Sequence, residues 1–231
     1  MNTQNKATAI LIFAQSAAEE LLHKKFSKNP ELFQVLNRET LSKVQHSGLP
    51  YFHFSEKEQT GNSFGERFVN AIQEIYDMGF DNVITIGNDS PQLKTQHLLQ
   101  ANTQLLHGKT VLGPTTDGGF YLMGLQKQDF SPELFIRLPW QRFSLFQKIS
   151  QLLAGNNSCI YQLPLLHDID TKKDVGILLN FIKSVSISLQ LIFARLTTNL
   201  TSYFSESNPF CSLLIQFNFF NKGSPYSISF H

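Results

Sequence analysis

The chain predicts an α/β fold, a three-layer α/β/α arrangement around a mostly parallel sheet. Two observations carry that expectation. Thr8–Ala14 is a short, continuous apolar run, as expected of a strand buried on both faces, and Asn82–Gly87 reads as another buried strand. Stretches with helical spacing lie between such runs, and a strand–helix–strand alternation implies crossover connections that place helices over a parallel sheet.

The elements follow in order. After the strand at Thr8–Ala14, Pro30 to about His46 sets Leu32, Phe33, Leu36 and Leu41 on one side of a helix. Gly48–Phe54 reads as a second, short strand. Ser63 followed by Glu66 is a capping box, and Phe64, Phe68, Ala71, Ile72 and Ile75 then share one face of a helix that Gly79 ends. Asn82–Gly87 is the third strand and Thr95–His107 the next helix. Val111–Pro114 and Phe120–Leu125 follow as strands, then a helix near Phe143–Ala154 and a strand at Cys159–Leu163, which makes Cys159 a buried thiol.

Composition excludes several function classes. With 42% hydrophobic residues among 231, the chain can bury a core, so wholesale disorder is excluded. A formal charge of +1 leaves no footprint for nonspecific nucleic-acid binding, so no nucleic-acid partner is expected. Two cysteines cannot build a disulfide scaffold or a four-thiolate zinc site. The first residues hold too short an apolar core for a signal peptide, and the cytoplasm is the expected compartment.

Composition shifts once. From Ser184 to His231 only Arg195, Glu206 and Lys222 are charged while aromatics crowd in, so the expected division is a domain at 1–183 and an apolar, aromatic-rich extension at 184–231, partly disordered. A membrane-spanning helix wants roughly 20 predominantly apolar residues. Lys183 and Arg195 interrupt Val175–Leu196, which reads instead as an amphipathic helix on the domain, on a protein partner or on a membrane surface.

Three acid-bearing loops occupy strand ends, where ligands of open α/β sheets bind. In Gly87-Asn-Asp-Ser-Pro91, Asp89 is either a turn cap or an acid projecting from a rigid strand end. In Asp117-Gly-Gly-Phe120, the paired glycines make either a tight turn or a close approach to a ligand. In His167-Asp-Ile-Asp-Thr171, Asp168 and Asp170 point to one side if extended, and Asp170 is alternatively just a helix start. His167 is the histidine nearest this group. Hard oxygen ligands of this kind suit Mg²⁺ or Mn²⁺ bridging a diphosphate.

The order of motifs Gly61-Asn-Ser-Phe-Gly-Glu-Arg67, Gly87-Asn-Asp-Ser-Pro91, Leu112–Leu122, Leu138-Pro-Trp140 and Asp168-Ile-Asp-Thr171 resembles a bacterial glycosyltransferase-A-like family of unknown function. That family is related to nucleotide-diphospho-sugar transferases and to molybdenum-cofactor and phospholactate nucleotidyltransferases. The resemblance implies a Rossmann-like sheet of the nucleotide-diphospho-sugar transferase fold, a nucleotide or nucleotide-sugar ligand, and Mg²⁺ or Mn²⁺. It implies Asp89 and Asp170, joined by Asp168, at the metal, with Asp89 and Asp117 catalytic. Gly118, Gly119 and Trp140 would line the acceptor side; Ala14, Lys24, Lys25, Gly65 and Arg67 would face the nucleotide phosphates.

The run Gln15–Phe26 departs from the family pattern. It lacks the usual glycine, and Glu19 and Glu20 bring negative charge where phosphates would lie, leaving His23, Lys24 and Lys25 as the only cations. Two readings therefore stand: a metal-dependent glycosyl- or nucleotidyltransferase, or a catalytically degenerate relative acting as a binding or scaffold protein.

Overall fold

Alternation along one strand organises the molecule. In the computed structural model, which describes residues 7–24, 29–155 and 158–205, all of β1 (Thr8–Phe13) is buried. Ala9, Leu11 and Phe13 enter one apolar cluster, and Ile10 and Ile12 enter the cluster on the opposite face. Successive strand side chains point to opposite faces, so a run apolar at every position needs helices on both sides.

The sheet has the order β2-β1-β3-β5-β4-β6, with β2 at Tyr51–Phe54, β3 at Asn82–Ile86, β4 at Thr110–Pro114, β5 at Phe120–Gln126 and β6 at Ile160–Gln162. β1 pairs in parallel with β2 and β3, and β4 with β6, while β5 runs antiparallel to both β3 and β4. One strand of six is therefore reversed. The cause is the turn Thr115–Gly119, too short for the crossover a parallel partner would need.

One face carries α3 (Phe64–Asp77), α5 (Pro132–Ile136) and α6 (Leu145–Gly155), which bring Phe68, Ile72, Phe135 and Ile149 to the sheet. The other carries α2 (Pro30–Gln45) and α4 (Thr95–Leu106) through Val44, Leu98, Ala101 and Leu105. Ser63 caps α3 as expected, its Oγ accepting from Glu66 N at 3.2 Å, but the Glu66 carboxylate reaches back to Asn62 N at 2.7 Å.

The structure revises three expectations. Ala17–His23 forms a helix, α1, capped by Ser16, where the sequence suggested only a run of charges. β2 begins at Tyr51 rather than Gly48, because Gly48 turns the chain at φ 69° and Pro50 has no N–H to give a ladder. β6 is a short edge strand, so Cys159 beside it is exposed rather than buried.

Of the readings open for the apolar extension, its start takes the one on the domain. α7 (Lys172–Leu179) and α8 (Ile187–Ser205) follow β6, and Val185, Leu189, Ile192 and Phe193 join Leu32, Phe33 and Leu36 of α2 in a third buried cluster. The start of the extension thus packs on the domain, with Ile187 and Leu191 facing outward. No described helix is long and apolar enough to cross a membrane. Cys211 and the expected tail lie outside the described residues.

Candidate active site

The carboxyl ends of β1, β3 and β4 open on one cleft of about 650 Å³. Backbone hydrogen bonds gather the three acid loops there. Leu166 N donates to Pro114 O at 3.1 Å, and Ile169 N donates to Asp89 O at 3.0 Å, so the segment after β6 is stitched to the ends of both β4 and β3.

Three of the expected acids converge. One carboxylate oxygen from each of Asp117, Asp168 and Asp170 lies within 4.8 Å of the others. Asp170 is free to face the cleft because Thr171 caps α7, its hydroxyl accepting from Asp174 N at 3.4 Å. Asp117 serves turn and cleft together: its Oδ1 accepts from Gly119 N at 2.9 Å and from the Thr115 hydroxyl. A Cβ on Gly119 would lie 3.2 Å from that same oxygen. Asp89 lines the cleft but stands outside the triad, facing Lys24 instead.

Lys24 is the cation of this half. Its Nζ lies 3.0 Å from Asp170 Oδ1, 3.5 Å from Asp89 Oδ2 and 3.8 Å from Glu20 Oε2, and it donates to Ile169 O at 2.9 Å. Burial opposes its charge, but Asp89, Glu20 and Asp170 together overcome that and push its pKa up. Burial raises the Glu20 carboxyl, with Lys24 opposing. Glu19 turns aside to pair with His23 at 3.0 Å, so only one of the two glutamates adds charge to the cleft wall.

Asp168 shows what Lys24 leaves uncompensated. Burial, then the charges of Asp117, Asp89 and Asp170, push its carboxyl up to about 8. A cluster of hard oxygen donors with surplus negative charge fits a divalent cation such as Mg²⁺ or Mn²⁺.

The opposite half is aromatic. Trp140 packs on Phe68 with centroids 4.9 Å apart and on Phe64 at 5.5 Å, and its Nε1 donates to Phe135 O at 2.8 Å. Gly65 sits behind this wall: a Cβ there would lie 2.6 Å from Trp140 Cδ1. Gly118 is likewise a support, at φ 87° with the Phe143 carbonyl against it, and neither glycine lines the cleft. Ala14, Arg67 and Gly119 do line it. Lys25 lies outside the described residues.

His167 is drawn away from the triad, its ring stacked on Phe181 at 5.1 Å. Sequence reasoning missed Arg142 and Phe143, which close the aromatic half, and Gln141, whose φ of 58° turns the chain between them and Trp140. Nothing in their local pattern marks them; the nearby Leu138-Pro-Trp140 motif was the available signal.

Comparison with known proteins agrees with this architecture. Residues 38–142 match the family model described as "Uncharacterized protein conserved in bacteria (DUF2064)", so the resemblance seen in the motifs is borne out. A candidate nucleotide-diphospho-sugar transferase from Desulfovibrio desulfuricans G20 superposes with a TM-score of 0.67 at 21% identity, covering 85% of this chain and 97% of that one. Rv0371c from Mycobacterium tuberculosis H37Rv gives 0.50 at 11% identity, over 76% of this chain and 98% of that one. At such identities the likeness shows the fold, that of nucleotide-diphospho-sugar transferases. No curated protein matches the sequence.

Proposed function

We propose that the protein is a divalent-metal-dependent transferase that takes a nucleoside triphosphate or a nucleotide sugar as donor. The observation that carries this reading is the convergence of Asp117, Asp168 and Asp170 within 4.8 Å at the strand ends, beside the Lys24 ammonium. The described relative from Desulfovibrio, which bears the name of a nucleotide-sugar enzyme, supports the donor class.

Asp117, Asp168 and Asp170 would hold the cation, which supplies charge neutralisation on the phosphates of the donor. Lys24 lies between Asp170 and Asp89 and adds a second positive charge for a leaving phosphate. In the transfer, an acceptor hydroxyl oxygen bonds to the donor group as the bond from that group to the leaving phosphate oxygen breaks. The hydroxyl proton passes to a carboxylate, which we assign to Asp89 because it lines the cleft outside the metal triad. Holding donor and acceptor in one cleft supplies much of the rate, so no covalent nucleophile is needed.

A thermal-shift panel tests this. Nucleoside triphosphates, diphosphates and nucleotide sugars are each measured with Mg²⁺ or Mn²⁺ and again with EDTA. Ligand at about 100 times its Kd adds about 2.7 kcal/mol. The expected result is a metal-dependent rise with one nucleotide class that is lost in Asp168→Asn. A flat panel on folded protein would overturn the reading in favour of a non-catalytic relative.

A further inference from the structure

The cleft is both acidic and aromatic, and the transferase reading gives roles only to its charged residues. Besides the carboxylates the cleft is lined by Phe64, Phe68, Phe120, Trp140 and Phe143 and by two arginines, Arg67 and Arg142. The aromatic rings form one packed surface: Phe64 stacks on Phe68 with planes 13° apart, and Trp140 contacts Phe64, Phe68 and Phe120. Because the Trp140 N–H is already given to Phe135 O, the indole offers a ligand only its apolar surface.

Two features mark this wall as a receptor surface rather than spare core. Phe143 is 79% exposed, more than any other large apolar side chain described, yet it borders a cleft. Arg67 and Arg142 also line the cleft, and neither forms an ion pair with any described residue. A cleft lined by both arginines and aromatic faces suits a ligand that is anionic at one end and flat or apolar at the other.

The wall is also held in place. Phe146 N donates to Gly118 O at 2.9 Å, and the Phe143 carbonyl occupies the space a Cβ on Gly118 would take. The turn that presents Asp117 therefore buttresses the loop that presents Trp140, Arg142 and Phe143. The acidic turn and the aromatic wall keep a fixed spacing.

We infer that the aromatic wall is a binding subsite for a small organic anion, a carboxylate or phosphate monoester, carrying a planar or apolar body. This deepens the proposed function and rests on it for one point, that the bound molecule is the acceptor. The binding itself is independent of metal and nucleotide.

Trp140 is the chain's one tryptophan, so its fluorescence reports the subsite directly. Full-length protein in EDTA is titrated with phenyl phosphate and with benzoate, and separately with inorganic phosphate and with phenol as the two half-ligands. The expected result is a saturable change with at least one ring-bearing anion, whose headgroup is thereby identified, and binding about tenfold or more weaker for each half-ligand. Arg142→Ala, at an exposed position, should weaken the ring-bearing anion about tenfold or more while circular dichroism stays unchanged. The inference is overturned by no saturable change up to about 10 mM, by unaltered binding in Arg142→Ala, or by inorganic phosphate binding as tightly as phenyl phosphate. Ring-anion binding with a flat nucleotide panel would refute the transferase reading and keep the subsite; a nucleotide response without ring-anion binding would do the reverse.

Discussion

Lys24 reaches across the cleft to Asp170, placing its ammonium 3.0 Å from the carboxylate Oδ1. The two residues stand 146 positions apart, one just after α1 and the other just before α7. Their contact ties the loop that departs most from the family pattern to the acid group that matches it best. The missing glycine does not leave this half of the cleft without a cation, because α1 delivers one from a different backbone.

Removing that cation should be costly in metal-free protein. Lys24→Met leaves Asp89, Asp170 and Glu20 facing one another without compensation. Losing one partner of a buried pair costs about 3–5 kcal/mol, and the half-exposed Asp170 reduces that to about 1–3 here. Thermal denaturation in EDTA should show the loss, and saturating Mn²⁺ should recover part of it.

The pH dependence follows from Asp168. Its folded pKa of about 8 lies above the ordinary carboxyl value, so the folded state holds the proton more tightly than the unfolded state does. The associated stability is fully present below about pH 4 and is lost as pH rises through about 8. Glu20, also raised, acts in the same direction. Melting temperature in EDTA should therefore fall between about pH 5 and 8.5. Asp168→Asn should flatten most of that slope.

Much of this was legible from the chain. β1 is apolar at every position after Thr8 because both its faces are covered, and that pattern is visible without a structure. That the loops of Asp117, Asp168 and Asp170 lie at strand ends is also visible in the chain, because each follows a strand. The reversal of β5 could be read only through the short Asp117-Gly-Gly turn, since an apolar strand reads the same in either direction. The separation of Asp89 from the triad was hidden, because it depends on where Lys24 points. α1 escaped because its apolar face is only Ala17 and Leu21 in seven residues; the Ser16 cap and the packing of that pair on the α2 cluster decide it.

Gly65 tests the aromatic wall. A Cβ there would lie 2.6 Å from the Trp140 ring and 3.1 Å from Ile136 O, so Gly65→Ala must displace the indole. Overpacking of this kind costs about 1–3 kcal/mol. The expected signature is a lower melting temperature together with a shifted Trp140 emission maximum.

Truncation after Lys183 distinguishes an independent domain from a continuous core. The sequence expectation of a unit ending at 183 predicts a folded, more soluble fragment. The packing predicts the opposite, since the cut removes Val185, Leu189, Ile192 and Phe193 from the face of α2. Each buried apolar side chain is worth about 1.5–3 kcal/mol, so the fragment should melt far lower or precipitate. A fragment as stable as the full chain would restore the division at 183.

The most direct test of the central claim is Mn²⁺ binding followed by the electron paramagnetic resonance signal of the free ion. The account predicts one saturable site in the full-length protein, weakened about tenfold or more by Asp168→Asn and unchanged by Glu133→Gln on the exposed start of α5. Absence of saturable binding, or a site indifferent to Asp168→Asn, would contradict the assignment of Asp117, Asp168 and Asp170 as the metal ligands.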